Sequence, residues 1–185
     1  MKGIIHGQER CYNPTMGAQK INSKAKGNTI VSCANILVKM GDAYVVLKRS
    51  EKKEFAPNVI APFGGKISRG ESPLKAAIRE LKEESGLTAK NIKLRAIVTE
   101  THNDPDMLGD WLVYYFIGDY DKGEIIKTPE GTTLKLTSEE LKKHELFPTF
   151  KVLLPYLLKE EIHPIIAQIT FDKNRELVRS SVDVC

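Results

Sequence analysis

Three carboxylates, Glu80, Glu83 and Glu84, crowd one short stretch of this chain, RELKEESG. On a helix of about 100° per residue they fall within about a third of a turn of one another. Like charges at that spacing repel, and the C-terminal half of a helix is the half whose dipole disfavours anions. A hard divalent cation removes that cost, and an all-oxygen donor set favours Mg²⁺, with Mn²⁺ as the alternative, over softer metals. A solvated acidic face with Lys75, Arg79 and Lys82 as partners accounts for the same charges without chemistry. The residues around the helix decide between the two.

The helix that must position these groups has clear ends. Ser72 suits the N-cap, Pro73 the first helical position, and Gly86 the left-handed position just past the end. This predicts a helix over Pro73–Ser85, with Leu74, Ala77, Ile78 and Leu81 as its core-facing stripe. Upstream, β-branched and apolar runs at 29–40 and 43–49 flank Gly41-Asp42 and read as a hairpin. Residues 50–62 read as a polar connection that Gly64-Gly65 ends. Strands follow at 93–102 and 111–119. A short helix capped by Thr137 or Ser138 runs through Leu141 and Lys142, and a second helix covers 149–160. A terminal hairpin, 165–171 with 177–182, turns at Asp172-Lys173-Asn174. The class is α/β (α+β), with a mixed sheet between helices.

A chain of 185 residues is long enough for one domain with a real core. Residues 1–28 lack periodic pattern and read as an arm, 29–160 as the domain, and 161–185 as a hairpin packed on it. No apolar run is long enough to span a bilayer, and the first residues hold no secretory apolar stretch, so a cytoplasmic protein is expected. Cys11, Cys33 and Cys185 lack metal-site spacing and read as free thiols. The net charge of +4 suits anionic small molecules, and no basic stripe with interleaved aromatics suggests a nucleic-acid polymer.

The full segment reads Gly65-KISRG-Glu71-SPLKAAI-Arg79-Glu80-Leu81-Lys82-Glu83-Glu84-Ser85-Gly86-Leu87. It resembles the Nudix box, G-x5-E-x7-R-E-U-x-E-E-x-G-U, where U is aliphatic, and every fixed position matches. At ordinary residue frequencies such a match arises by chance on the order of once in ten million chains of this length, which sets aside the plain acidic face. The resemblance implies an α/β/α sandwich and a pyrophosphohydrolase that cuts a nucleoside diphosphate linked to another group. It makes Glu80, Glu83 and Glu84, with the Gly64 carbonyl, the metal-ligand and base candidates, Glu80 being the first choice of base. Arg79 would orient the glutamates, Glu71 would hold the loop against the helix, and Gly65 and Gly86 belong to the structural frame. Some members carry a further glutamate outside the box, and Glu130 is the candidate here.

For the substrate, APFGGKISRGESPLKAAIRELKEESGL looks most like the MutT-type branch, which converts oxidised purine nucleoside triphosphates such as 8-oxo-dGTP to monophosphate and pyrophosphate. Phe63-Gly64-Gly65-Lys66 and the terminal hairpin support that likeness, and Lys48, Arg49 and Lys66 are candidates to meet the substrate. Acidic residues that read the base ahead of the last helix in some members are replaced by Phe147-Pro148-Thr149-Phe150. Asn58, Asn103, Asp104 and Trp111 are the candidates to supply the missing hydrogen bonds. The alternatives are an ADP-ribose or dinucleotide pyrophosphatase, for which Pro105 is a weak marker, and a non-catalytic nucleotide sensor, against which the intact glutamates argue.

Overall fold

In the computed structural model, residues 29–103, 109–159 and 163–184 are described. The arm 1–28, Asp104, Pro105, Cys11 and Cys185 lie outside them. The elements are β1 (Ile30–Met40), β2 (Ala43–Arg49), β3 (Ile60–Ala61), β4 (Phe63–Lys66), α1 (Pro73–Ser85), β5 (Leu87–His102), β6 (Asp110–Gly123), β7 (Gly131–Thr137), α2 (Ser138–Leu141), α3 (Pro148–Leu157), β8 (Ile165–Phe171) and β9 (Leu177–Val184).

The nine strands form one mixed sheet in the order β3-β2-β1-β6-β5-β8-β9, with β4 also on β1 and β7 also on β2. β1 runs parallel to β6, and β5 parallel to β8. The period of two along β1 sorts its side chains to two cores. Ala34, Ile36 and Val38 pack under α1 with Phe63, Ala77 and Leu81. Cys33 and Leu37 face the other way, toward Phe150, Leu153 and Leu157 of α3. The sheet therefore lies between helices, the layering expected from the sequence.

β1 also changes partners along its length. Cys33–Ile36 pair with β4, while Val38–Met40 pair with β2. The Gly64-Gly65 segment thus enters the sheet beside Ala34 and Asn35.

Three features differ from the sequence reading. The supposed connection 50–62 contains β3, and β4 follows at the glycines; both are too short to show a period. β7, GTTLKLT, was not expected as a strand, and it pairs along the whole of β2. β5 starts at Leu87, directly after the helix cap, rather than at residue 93; register shifts between Lys90 and Lys93 break the alternation that would mark its first residues.

α1 has the predicted bounds. Ser72 accepts from the Lys75 N–H, and Gly86 ends the helix at φ +77 with its N–H on the Lys82 carbonyl. Its buried face matches the expected stripe only at Ala77 and Leu81. Ala76, Ala77, Leu81, Glu84 and Ser85 are buried, whereas Leu74 and Ile78 are 41% and 39% exposed. The two small alanines let the helix lie close on β1 and β4, and that docking turns it toward its carboxylates. On the other side of the sheet, buried Arg95 donates from Nη2 to the carbonyls of Tyr156 and Lys159, which closes the C-terminal end of α3.

Candidate active site

The glycine segment brings the helix carboxylates together. The Gly64 N–H donates to Glu84 Oε2 at 3.0 Å. A Cβ on Gly65 would stand 2.5 Å from Glu80 Oε1, so only glycine admits the carboxylate so close to the strand. Arg79 fastens the rest. Its Nη1 donates to Glu80 at 2.7 Å and to Glu83 at 3.1 Å. Its Nε and Nη2 grip the two oxygens of Glu71 at 3.0 Å each, and Nη2 also reaches the Lys66 carbonyl. Glu71 accepts from the Ser68 N–H as well. One guanidinium therefore ties the loop 66–71 to two of the helix carboxylates through a bidentate pair.

The three glutamates are not equivalent. Glu84 is 9% exposed, Glu80 is half-buried and Glu83 reaches into solvent. Burial pushes the Glu84 carboxyl up to about 7, against the Gly64 N–H, and the nearby charges of Glu80 and Glu130 push it the same way. The Arg79 bond holds Glu71 below the usual carboxylate range. These side chains line a cleft of about 450 Å³ with Lys127, Thr128 and Glu130, the last paired with Lys53. Glu130 thus stands in the same cleft as the box glutamates.

No three His, Cys, Asp or Glu side chains among the described residues form a ready-made metal cage. Arg79 and the Gly64 N–H occupy the oxygens that would have to converge. The donor set nevertheless suits a hard divalent cation: oxygen donors only, one of them raised first by burial and then by its neighbours' charge.

A second cavity, of about 350 Å³, shares Gly64 and Gly65 with the cleft. Its floor is the α3 face of the sheet, with Asn35, Glu100, Trp111 and Tyr115. Phe55 and Phe147 meet edge to face at its mouth, ring centroids 5.4 Å apart. Arg49 lies 5.7 Å over the Phe147 ring and Arg175, from the β8–β9 turn, 4.9 Å over Phe55. Arg49 also donates to the carbonyls of Phe55 and Ala56, which holds the 50–59 segment in place. Backbone bonds from Ile60 to Glu145 and from Phe147 to Ile60 anchor the approach to α3.

Of the substrate candidates, Arg49 and Trp111 line this cavity, and Lys66 lies 5.8 Å over the Trp111 ring without lining it. Lys48 and Asn58 line a neighbouring depression, which shares Arg49 with the cavity and Thr128 and Pro129 with the carboxylate cleft. Asn103 is tied through its backbone to Phe171. Asn35, Phe55, Glu100 and Arg175 join the cavity without a signal in the sequence. Each belongs to a different element, and no spacing in the chain relates them.

The NUDIX domain family matches residues 29–169. The chain belongs to the Nudix family. The "Uncharacterized Nudix hydrolase YvcI" of Bacillus subtilis is 32% identical over 77 residues, covering 41% of this chain and 48% of that protein. The "NAD-capped RNA hydrolase NudC" of Haemophilus influenzae is 28% identical over 97 residues, 51% of this chain and 34% of its own. The matches thus span half or less of these curated relatives. Among solved structures, the mutator MutT protein from Bacillus halodurans superposes with a TM-score of 0.73 at 22% identity, covering 83% of this chain and 97% of that one. A MutT Nudix hydrolase from Burkholderia pseudomallei gives 0.60 at 17% identity, over 70% and 98%. These likenesses establish the Nudix fold, whose hydrolases generally use divalent cations. No helix among the described residues is long and apolar enough to cross a membrane.

Proposed function

We propose that this Nudix protein is a pyrophosphohydrolase that converts a purine nucleoside triphosphate, of the oxidised 8-oxo-dGTP kind, to the monophosphate and pyrophosphate with Mg²⁺ or Mn²⁺. The observation that carries the reading is the shared wall of Gly64 and Gly65. A carboxylate cleft suited to a metal-bound polyphosphate lies on one side, and an aromatic cavity of the size and lining of a base pocket on the other. The fold neighbour from Bacillus halodurans, a mutator MutT protein, accords with it.

Glu80, Glu83, Glu84 and the Gly64 carbonyl would hold the cation. When bound, it neutralises the phosphates and makes a water more acidic. Glu80, fixed by Arg79 beside Gly65, takes the proton of the attacking water. Arg79 and Glu71 keep the loop and helix in register so that the carboxylates do not drift apart. Glu130 stands ready as a further oxygen donor, with Lys53 as its present partner. The Phe55 and Phe147 rings give the base an apolar wall to pack on beside the cleft. The buried free thiol of Cys33 accords with a cytoplasmic setting.

A dinucleotide substrate is the second reading, favoured by the similarity to the NAD-capped RNA hydrolase. One panel separates the two: phosphate-containing products from 8-oxo-dGTP, dGTP, ADP-ribose and a dinucleoside polyphosphate, with and without Mg²⁺. The triphosphates should be turned over fastest, with release of pyrophosphate. Faster turnover of ADP-ribose sinks the triphosphate reading, and binding without any metal-dependent turnover would mark a sensor instead.

A further inference from the structure

Aromatic stacking holds any base, because every base has a π face. Discrimination therefore falls to the polar groups of the cavity floor. The segment ahead of α3 supplies no acid, only Phe147-Pro148-Thr149-Phe150. It supplies instead a hydrogen bond to one: Thr149 Oγ1 donates to Glu100 Oε1 at 2.6 Å. Glu100 comes from β5, opposite Trp111 on β6. It lines the cavity, is 8% exposed, and has Thr149 as its hydrogen-bond partner among the described residues. A carboxylate can accept about four hydrogen bonds. A buried one with a single donor is costly unless something in the cavity provides more. Burial pushes this carboxyl up from the ordinary range, and additional donors would bring it down again.

We propose that Glu100 is the specificity-determining residue of the base pocket, accepting hydrogen bonds from the N1–H and exocyclic amino group of a guanine-type base. The proposal rests on the nucleotide-hydrolase reading and deepens it. An acceptor pair complements the two adjacent donors of guanine, whereas adenine offers an acceptor at N1. With adenine the carboxylate either keeps its desolvation cost against a lone pair or must take up a proton, whereas guanine satisfies the ionised form directly, so guanine is favoured beyond what stacking alone allows.

Trp111 is the single tryptophan of the chain and lines the cavity, so its fluorescence reports occupancy without any metal. Titration of the full-length protein with GMP, IMP and AMP should rank them in that order, with GMP about ten- to a hundredfold tighter than AMP. Glu100→Gln turns one acceptor into a donor and should abolish most of the GMP preference, with the loss of affinity confined to guanine-type bases. In the unaltered protein, 1-methyl-GMP, which lacks the N1–H, should bind at least about tenfold more weakly than GMP. This arm does not depend on the variant folding. Equal affinity for GMP, 1-methyl-GMP and AMP overturns the base readout. So does an equal loss for all bases in Glu100→Gln, the mark of a carboxyl that only anchors α3. Hydrolysis assayed on the same preparations keeps the readings apart. Equal binding with intact pyrophosphate release removes the role of Glu100 and leaves the hydrolase; ranked binding without release does the reverse.

Discussion

The carboxylate cleft and the aromatic cavity meet at Gly64 and Gly65, but they draw on the chain differently. Most of the cleft comes from 64–86, a glycine strand and the helix after it, closed by Lys127 to Glu130. The cavity gathers Asn35 from β1, Phe55 from the segment before β3, Glu100 from β5, Trp111 from β6, Phe147 from before α3 and Arg175 from the last turn. The cleft is ionic and fastened by one arginine. The cavity is held by ring contacts and cations over rings. A site whose chemistry demands fixed oxygen positions is built from neighbours on one helix. A site that must fit a flat ring can be assembled from distant pieces, because stacking tolerates small displacements.

If the cleft does the chemistry and the cavity only binds, breaking each should leave a different kinetic mark. Glu83→Gln is the severest test: hydrolysis should fall by about 10²- to 10⁴-fold with the fold intact by circular dichroism. Full activity in that variant would end the proposed mechanism. Arg79→Lys comes next, since a lysine cannot grip Glu71 bidentately while reaching Glu80 and Glu83. A loss of about 10- to 100-fold in metal affinity or activity is expected, measured by Mg²⁺ titration of the rate.

Phe55→Ala should instead act through KM, raising it about tenfold at nearly constant kcat. A drop in kcat would show that the cavity helps align the phosphates and would blur the division. The fourth expectation concerns pH. The folded-state carboxyl of Glu84 is raised to about 7 from 4.5. Its contribution to stability is thus fully present below about 4.5 and is lost as pH rises through about 7. Saturating Mg²⁺ should remove that decline in thermal scans, and metal should bind more tightly as pH rises through the same window. The smallest effect belongs to the exposed side of α1. Ile78→Lys should change stability by no more than about 0.5 kcal/mol, whereas Leu81→Ala, on the buried side, should cost about 2–5 kcal/mol in denaturant unfolding.

The last pair marks where local sequence was enough and where it was not. The bounds of α1 were legible because Ser72, Pro73 and Gly86 act within one turn of themselves. Its orientation was not. Leu74 and Ile78 fit an apolar stripe on the wheel, yet the sheet accepted the alanine side and took Glu84 with it. β7 escaped notice because its pairing with β2 lies more than eighty residues away in the chain. Glu130 could be picked out as a glutamate beyond the box, but only the pairing of β7 with β2 puts it across from Glu84. Lys48 and Arg49, a strand end expected to meet phosphate, line one depression beside the carboxylate cleft, and Arg49 reaches the aromatic cavity as well.

By itself the sequence determined the helix, its glycine approach and the set of carboxylates, and through them the family. These features are local: caps, φ preferences and side-chain spacing act over a few residues. The tertiary structure decided which helix face is buried, how exposed each glutamate is, and that Glu100, Asn35 and rings from distant segments surround one space. Such choices depend on strand order and register, which are settled by the sum of contacts between distant segments rather than by any one of them.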